Sequence, residues 1–512
     1  MSQVSAPSSE SWDPADTETA DLLVSYRRTR DRVEREVLPR ATSVDGLRFT
    51  CQASLHDLRL SRGGYVVLES GDRRRLGQVT DLQVDRQAAA VEGLAGHAAG
   101  ILVRMAAGSG VVLDTDGEPF HDAVVRPAGA DEVAAWATRT RPRRAGLEIG
   151  ELALARGVPA VLDSGGLGRH TFLCGQSGSG KTYALGLLLE RVLAETTIRV
   201  VVLDPNSDYV RLAHVREDAH PLLTVRYARV TDDVAVWRDD PTADRPLRLR
   251  FADLDPSTQA AVLGLDPVRD REEYAALGEL LRLQKDGEPL INDIDQLADS
   301  DLPGARALGL RARNIGLFDW TIWDPQKPSL VAELRDPTAR CTVVDLGSLG
   351  TAAEQQLVAQ TVLSTLWRSR HSREPCLVVV DEAHNICSAD PRDEVGRLST
   401  DTAVQIAAEG RKYGLYLLTS TQRPNKVHEN VVSQCDNLLL MRMNSEADLT
   451  DLGRLFSFVP PGLVAGATTF RMGQALVAGR VLPHAAYVQV GRRVSEEGGA
   501  DVPAAWAAPR PS

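Results

Sequence analysis

A glycine-rich stretch at 175–182 contains the residue types that hold phosphate groups. It reads GQSGSGKT and matches the pattern G-x-x-x-x-G-K-[ST], which connects a strand to a helix in nucleotide-binding proteins. Glycines let successive backbone N–H groups turn inward around a phosphate, and the helix N-terminus adds a favourable dipole. Lys181 would reach the β- and γ-phosphate oxygens, and the Thr182 hydroxyl would bind Mg²⁺. The residues predicted to contact ATP are Gly175, Gln176, Ser177, Gly178, Ser179, Gly180, Lys181, Thr182 and Tyr183.

Two acids, Asp381 and Glu382, follow a run of apolar residues in the sequence LVVVDEAHN. A strand that ends there would deliver both carboxylates to the carboxyl edge of a parallel sheet, where ligands bind in doubly wound folds. Asp381 would hold Mg²⁺ through water, and Glu382 would orient or deprotonate the attacking water. Two solvated acids at a strand end are the alternative, and the phosphate-binding stretch upstream favours the catalytic pair.

Four more polar residues are candidates for the same pocket. Asp204 and Asp208 follow the strand pattern of VVVLDPNSDY, and Gln422 ends the strand pattern of LYLLTSTQRP. Gln422 would contact the γ-phosphate and respond to hydrolysis, or it is an ordinary loop residue. Arg411, in AAEGRKYG, ends a predicted helix. Such an arginine commonly interacts with the helix dipole, but it also suits an arginine finger directed at the ATP of a neighbouring subunit.

The apolar runs that carry these residues alternate with helical patterns and predict an α/β core. Six of them have the continuous apolar character of buried parallel strands: TFLC, IRVVVLD, CTVVDLG, CLVVVDE, LYLLTS and NLLLMRM. Residues 212–339, between the second and third runs, have a mostly helical pattern and predict an insertion on the sheet. Half a dozen short β-like runs between 45 and 130 are separated by Gly and Asp turns and predict a small β-barrel.

The remaining segments complete the predicted domain organisation. Residues 1–44 are expected to be a disordered lead-in with one helix, 151–492 the α/β domain, and 493–512 an extended tail. Residues 131–150 are expected to be a basic linker, either a solvated hinge or a contact with DNA or a neighbouring subunit. Its arginines are Arg139, Arg141, Arg143 and Arg144.

The net charge of −12 disfavours a protein that is coated by nucleic acid or docked on an anionic membrane. DNA held inside a ring would need only a few inward-facing cations, so this class stays open. The chain has no run of about 18 apolar residues and no signal-peptide pattern. Its six cysteines are scattered without a C-x-x-C pair. We therefore expect reduced, buried thiols in a cytoplasmic protein without a membrane partner.

Taken in order, these motifs resemble those of HerA-type ATPases in the HerA/FtsK superfamily. The matching stretches are IGEL, GQSGSGKT, DPNSDY, VVDLGSLG, VVVDEAHN, AAEGRKYGLYLLTSTQRP and VVSQCDNLLLMRM. The predicted barrel is similar to the HAS barrel of that group. DEAHN followed by EGRKYG and TQRP is specific to the group, whereas GQSGSGKT is widespread. One departure follows the second strand, where the family often has His, Gly and Glu and this chain has Asn206, Ser207 and Asp208.

The resemblance implies a RecA-like P-loop ATPase that works as a homohexameric ring with double-stranded DNA in its pore, as a DNA translocase or helicase. It assigns catalytic roles to Lys181, Glu382, Gln422 and Arg411, and Mg²⁺ binding to Thr182 and Asp381. Family members commonly work with a nuclease in the processing of DNA ends, and bacterial relatives pair with effectors in anti-phage defence. A separate nuclease or defence effector is therefore the expected partner, in DNA repair or antiviral defence.

Two other functions stay open at this point. A conjugation or secretion ATPase of the same superfamily would move protein or single strands, but the predicted barrel and the lack of an apolar span weigh against it. A ring scaffold would use ATP for assembly and would activate a bound enzyme, but Glu382 favours turnover. A DEAH-box helicase is disfavoured, because the chain lacks a Q-x-x-G-R-x-x-R motif.

Overall fold

The computed structural model describes residues 24, 25, 28, 39–55, 58–85, 89–91, 101–103, 105–142, 144–285, 297–324 and 326–499. It divides the chain into two compact units, Met1–Trp136 and Ala137–Ser512. The predicted disordered lead-in, most of the predicted N-terminal helix and the last part of the predicted tail lie outside the described residues.

Strands of the first unit close into the β-barrel that the sequence predicted. The strands are β1 (Arg40–Ser43), β2 (Arg48–Ser54), β3 (Tyr65–Ser70), β4 (Arg73–Val84), β5 (Ala89–Val91), β6 (Ile101–Val103), β7 (Met105–Val112) and β8 (Phe120–Pro127). Six of them form the barrel in the order β1-β2-β7-β4-β3-β8, and β5 pairs with β6. All barrel pairs are antiparallel, and alternate side chains such as Phe49, Leu68 and Val79 fill the interior.

The barrel starts at Arg40, a few residues before the predicted boundary at 45. β1 has the sequence RATS, which lacks the apolar run that would mark it as a strand. It nevertheless buries Ala41 and Ser43 and pairs with both β2 and β8. These two pairings close the barrel and leave no open sheet edge there, so tertiary pairing decides the conformation of this segment.

The second unit is built on one mixed sheet, which confirms the predicted α/β class. Its strands are β9 (Gly146–Leu152), β10 (Pro159–Asp163), β11 (Thr171–Cys174), β12 (Arg199–Asp204), β13 (Val234–Arg238), β14 (Cys341–Asp345), β15 (Cys376–Val380), β16 (Leu415–Thr421), β17 (Asn437–Met441), β18 (Gln474–Gly479) and β19 (Ala486–Val490). Their order across the sheet is β10-β9-β19-β18-β17-β11-β16-β15-β12-β14-β13. Neighbours from β17 to β13 are parallel, and the strands from β17 to β10 pair antiparallel.

All six apolar runs predicted as parallel strands lie in the parallel part of this sheet. Their side chains are buried on both faces, because helices cover the sheet from both sides. The helices in the described part of the chain are α1 (Ala130–Arg139), α2 (Lys181–Glu195), α3 (Pro221–Tyr227), α4 (Pro256–Val262), α5 (Arg271–Lys285), α6 (Pro303–Asn314), α7 (Leu330–Arg335), α8 (Ala352–Arg368), α9 (Glu394–Glu409), α10 (Glu429–Val432), α11 (Glu446–Leu455) and α12 (Pro461–Ala465), of which α1 spans the boundary between the two units.

Two segments have more regular structure than the sequence pattern indicated. The predicted linker at 131–150 contains most of α1, which buries Val133 and Trp136, and the first part of β9, which buries Leu147 and Ile149. The arginines of this segment give its sequence a polar character, so the apolar positions of α1 and β9 did not indicate a helix and a strand. The predicted helical insertion contains α3 to α7 but also β13, which pairs with β14 and extends the sheet.

The described part of the predicted tail is packed rather than free. Arg493 and Glu190 of α2 form an ion pair at 3.3 Å, and both side chains are fully buried.

The six cysteines are unpaired and buried. Within the described ranges, every helix is too short or too polar to cross a membrane.

Candidate nucleotide site

The phosphate-binding stretch forms the loop between β11 and α2. Gly178 and Gly180 have φ angles of 71° and 93°, in the left-handed region that glycine adopts without steric cost. Within the described chain, the N–H groups of Ser177, Gly178 and Gly180 donate to no backbone carbonyl, and the Ser179 hydroxyl is buried without a partner. A loop with free N–H donors at the start of a helix fits the phosphate groups predicted for it.

Neighbouring segments hold this loop in shape. The N–H of Gln176 donates to the carbonyl of Arg442 (3.0 Å), and the side-chain oxygen of Gln176 accepts from the N–H of Asn444 (3.0 Å). On the other side, the N–H of Gly473 donates to the carbonyl of Ser179 (3.0 Å). The loop is therefore fixed by the end of β17 and by the turn before β18.

The other predicted nucleotide contacts flank the loop. Gly175 is buried and its N–H donates to the carbonyl of Thr421 (3.3 Å). Thr182 is half-buried in the first turn of α2. Tyr183 is turned toward the C-terminal segment, because its hydroxyl accepts from the N–H of Arg493 (2.8 Å). The structure therefore places Tyr183 beside the loop but in contact with another element.

The Lys181 side chain joins the loop to the two predicted catalytic acids. Since β16 lies between β11 and β15, Lys181 crosses the end of β16. Its ammonium group lies 2.7 Å from Asp381 Oδ1, 3.1 Å from Glu382 Oε1 and 3.1 Å from Ser420 Oγ. Burial lowers the pKa of Lys181, but the charges of the two acids outweigh burial and raise it. The group therefore carries a positive charge at the centre of the site.

Glu382 is held from three sides. Its backbone is left-handed, with φ 43°, a strained conformation that recurs at active sites. Gln422 Nε2 donates to Oε1 (2.8 Å), and His384 Nδ1 lies 3.2 Å from Oε2. Burial raises the pKa of Glu382, but the His384 contact, the charge of Lys181 and the Gln422 hydrogen bond outweigh burial and lower it to about 2. The carboxylate is therefore ionised near neutral pH and can accept a hydrogen bond from water.

The two acids after β12 have different surroundings. Asp204 supports the following turn, because its carboxylate accepts the N–H groups of Asp208 (2.9 Å) and Tyr209 (2.8 Å). The Tyr209 hydroxyl then donates to Asp381 Oδ2 (3.1 Å). Burial raises the pKa of Asp204 to about 8. Burial and the charges of Asp381 and Glu382 raise the pKa of Asp208 to about 6. Asp208 therefore faces the two predicted catalytic acids, and Asp204 is linked to Asp381 through Tyr209.

Arg411 lies at the opposite edge of the sheet. It precedes β16 and Gln422 follows it, and the seven residues of β16 separate these edges by about 20 Å. The Arg411 side chain is 34% exposed and lies 3.4 Å from Asp436, whose carboxylate also lies 3.8 Å from Arg169. The structure therefore does not bring Arg411 to the phosphate loop of its own chain.

Four residues at the site were not singled out by the sequence patterns. Ser420 lies two positions before Gln422, and the two-residue period of a strand could have placed it on the same face. Arg442 follows β17 at the carboxyl edge of the sheet, and its guanidinium lies 3.4 Å from a carbonyl of the phosphate loop. His384 belongs to the quoted DEAHN stretch. No sequence pattern indicated Tyr209, because its contact with Asp381 depends on how the chain turns after β12.

The family model described as the central domain of the helicase HerA matches residues 147–300. DNA double-strand break repair helicase HerA of Sulfurisphaera tokodaii is 27% identical over 32% of this chain and 34% of that protein. The protein with that name in Pyrococcus furiosus is 22% identical over 67% of this chain and 69% of that one. A probable HerA of Methanocaldococcus jannaschii is 22% identical over 70% and 78%. The match to the Sulfurisphaera protein thus spans about a third of its length.

Two solved structures have a partial likeness to the chain. VirB4 of Thermoanaerobacter pseudethanolicus aligns with 68% of this chain and 97% of its own, with a TM-score of 0.46 and 15% identity. The bacterial conjugative coupling protein TrwB aligns with 73% of this chain and 94% of its own, with a TM-score of 0.46 and 14% identity.

Proposed function

On the premise that this chain is a relative of the HerA-type ATPases, which its motifs and the partial matches to those proteins support, we propose that it is an ATP-driven motor for double-stranded DNA. It works as a homohexameric ring in the cytoplasm, hydrolyses ATP with Mg²⁺ and moves the duplex through the ring. A separate nuclease or defence effector acts on the DNA that the ring delivers.

One observation carries the proposal: four of the predicted catalytic and metal-binding residues meet within one chain, whereas Arg411, the predicted arginine finger, lies apart from them. Lys181, Asp381, Glu382 and Gln422 meet at the carboxyl edge of the sheet, whereas Arg411 is partly exposed at the opposite edge. Repeated head-to-tail contacts between such edges generate rings. In that arrangement, Arg411 of each copy reaches the nucleotide of the next.

The residues at the carboxyl edge fit ATP and Mg²⁺. Bound ATP supplies the terminal phosphoryl group, and Mg²⁺ supplies positive charge at its oxygens. The free N–H groups of the loop bind phosphate oxygens, and Lys181 neutralises part of their charge. Thr182 and Asp381 would hold the metal ion, while Tyr209 fixes the carboxylate of Asp381.

The Glu382 carboxylate orients the attacking water and accepts its proton as the new oxygen–phosphorus bond forms, while the bond from the terminal phosphorus to the bridging oxygen breaks and ADP leaves. Gln422 and Lys181 hold this carboxylate at Oε1, and the ring of His384 lies beside Oε2. The guanidinium from the neighbouring copy neutralises the charge that develops on the transferred phosphoryl group and on the departing ADP.

The test combines ATP hydrolysis by the full chain, with and without linear duplex DNA, with particle mass from light scattering. We expect a particle of six copies and a hydrolysis rate that linear duplex increases. Lys181→Ala should abolish turnover, whereas Asn425→Ala, at an exposed position after β16, should not change it. A single-copy particle without turnover, or full turnover by Lys181→Ala, would contradict the proposal.

A further inference from the structure

A cavity lined with arginine lies in the second unit, away from the phosphate loop. Its volume is about 410 Å³, and it is bounded by the residues before β9, by β9 itself, by the C-terminal end of α2, by α3 and by the residues after β19. Five of its lining residues are arginines, Arg141, Arg144, Arg191, Arg226 and Arg492, against the two acids Glu148 and Glu195. This local positive charge contrasts with the net charge of −12 for the chain.

The buried wall of the cavity has more positive than negative charge. Arg191, only 9% exposed, donates to the carbonyls of Glu148 (2.9 Å) and Arg492 (3.3 Å). Its nearest carboxylate is Glu190, at 3.8 Å, which is fully buried and already paired with Arg493 at 3.3 Å. One carboxylate thus serves two buried guanidinium groups. Since buried charge is normally balanced, an anion in the cavity would compensate the excess.

Three arginines at the rim are available for such an anion. Arg141, Arg144 and Arg492 are exposed, and in the described ranges none of them is close enough to a carboxylate to form an ion pair. Arg144 lies over Gly165, where a Cβ would come within 2.6 Å of its Nη1. The small residue therefore lets this side chain lie along the surface beside the cavity.

We propose that this cavity binds phosphate groups of a nucleic-acid backbone. The planar guanidinium fork matches two phosphate oxygens at once. The described lining has no aromatic side chain on which a base could stack, which favours the sugar-phosphate backbone over a free nucleotide. The inference rests on the proposed function, because it gives the DNA motor a contact for its substrate, and it assigns a role to part of the basic segment at 131–150.

The test measures binding of a fluorescent linear duplex to the full chain by anisotropy over a range of salt concentrations. Arg144→Ala/Arg492→Ala should weaken binding roughly tenfold or more, and the dependence of log affinity on log salt should become shallower by about one for each lost contact. Arg144→Lys/Arg492→Lys should give intermediate affinity, since it keeps the charge and loses the fork. Arg335→Ala, at an exposed position in α7, is the matched control and should bind as the wild type does.

The outcomes separate this inference from the proposed function. If the wild type binds duplex and the double alanine variant has the same affinity and salt dependence, the cavity is not the contact, and the proposed motor function stands. If the wild type binds no duplex, the proposed function itself fails. Two parallel titrations use ATP and polyglutamate. A variant that loses affinity for either one but keeps duplex binding would assign the cavity to a nucleotide or to an acidic protein, and would overturn the inference. Circular dichroism melting verifies that each variant is folded.

Discussion

At the residue scale, the charge state of Glu382 decides which chemistry the site can perform. Its pKa near 2 keeps the carboxylate ionised, so it acts as a hydrogen-bond acceptor for water over the whole physiological pH range. Gln422 donates to Oε1, whereas Oε2 lies 3.2 Å from His384 and has no hydrogen-bond partner in the described chain, so it is available to water. Orientation of water, rather than strong basicity, is therefore the main contribution of this side chain.

Glu382→Gln should reduce ATP turnover by roughly 10²- to 10⁴-fold, the usual contribution of a positioned general base. ATP binding should persist, because Lys181 and the phosphate loop stay intact. Single-turnover hydrolysis and equilibrium binding of a fluorescent ATP analogue measure the two effects separately. Turnover near the wild-type rate would show that another group activates the water.

Gln422→Ala should lower kcat by roughly 10²-fold, comparable to the loss of one aligned hydrogen-bond donor in other active sites. The KM for ATP should change little, because Gln422 contacts Glu382 and not the phosphate loop. Steady-state kinetics with Asn425→Ala as the control measure this split. An increase in KM with an unchanged kcat would mean that Gln422 binds the nucleotide rather than orienting Glu382.

Sequence patterns could predict the residues whose types are fixed by chemistry, such as the lysine of the loop and the acid pair after β15. They could not separate the roles of Asp204 and Asp208, since both follow the same strand. The structure does so, because Asp204 accepts two backbone N–H groups and Asp208 accepts neither of these. Such contacts depend on the path of the turn.

At the element scale, the position of β16 between β11 and β15 determines the whole arrangement. His170, immediately before β11, is fully buried and its Nδ1 accepts the N–H of Leu417 in β16 (2.8 Å). The contact fixes the register of these two strands at the edge where Arg411 lies. Burial, with a smaller effect from the charge of Arg411, lowers the pKa of His170 to about 4.

The pKa of His170 predicts a loss of stability in acid. The unfolded chain binds a proton near pH 6.5 and the folded chain only near pH 4, so this contribution is complete above pH 6.5 and is lost as the pH falls to 4. His170→Asn should remove about 3 kcal/mol of this pH dependence. Urea unfolding at several pH values measures it. His121→Asn, at an exposed histidine, is the control, and a wild-type pH dependence in His170→Asn would refute the assignment.

The C-terminal segment gives a second prediction at this scale. Arg493→Ala removes the nearer ion-pair partner of Glu190 and leaves the more distant Arg191 at 3.8 Å, while Glu190 still accepts the N–H groups of Val494 and Ser495. We expect a loss of about 3 kcal/mol in the free energy of unfolding, the lower end for a broken buried pair, because Arg191 compensates part of the charge. Arg492→Ala, next to it but exposed, should change stability little. Equal melting temperatures for the two variants would mean that the segment does not stabilise the core.

Elements with a strong apolar signal were predictable, and those fixed by pairing were not. TFLC and CLVVV become β11 and β15 because buried parallel strands need continuous apolar runs. β1 lacks such a run and exists because the barrel offers it partners, whereas β13 has the short run VAVW within a segment whose pattern is otherwise mostly helical. The length of an apolar run in the sequence predicts that a strand is buried. It does not predict which strand will pair with it, because pairing is decided in the folded chain.

At the scale of the whole molecule, the central claim is that the active site is shared between copies. The fold supports this claim because Arg411 and the phosphate loop lie at opposite edges of one sheet, about 20 Å apart. The net charge of −12 disfavours a general electrostatic attraction to DNA, so the proposed contact with DNA requires local arginine clusters. The cavity beside β9 is one such cluster.

Mixing two inactive variants tests this claim most directly. Lys181→Ala lacks the phosphate contact and Arg411→Ala lacks the finger, so each alone should be inactive as a ring. In a mixed ring, some interfaces join the intact loop of an Arg411→Ala copy to the intact arginine of a Lys181→Ala copy, and these should recover turnover. In an equal mixture, about a quarter of the interfaces have this pairing. The measurement is ATP hydrolysis after the two proteins are unfolded together and reassembled. Recovered activity is the result that we predict, and no activity at any mixing ratio, with rings present by light scattering, would contradict the shared site.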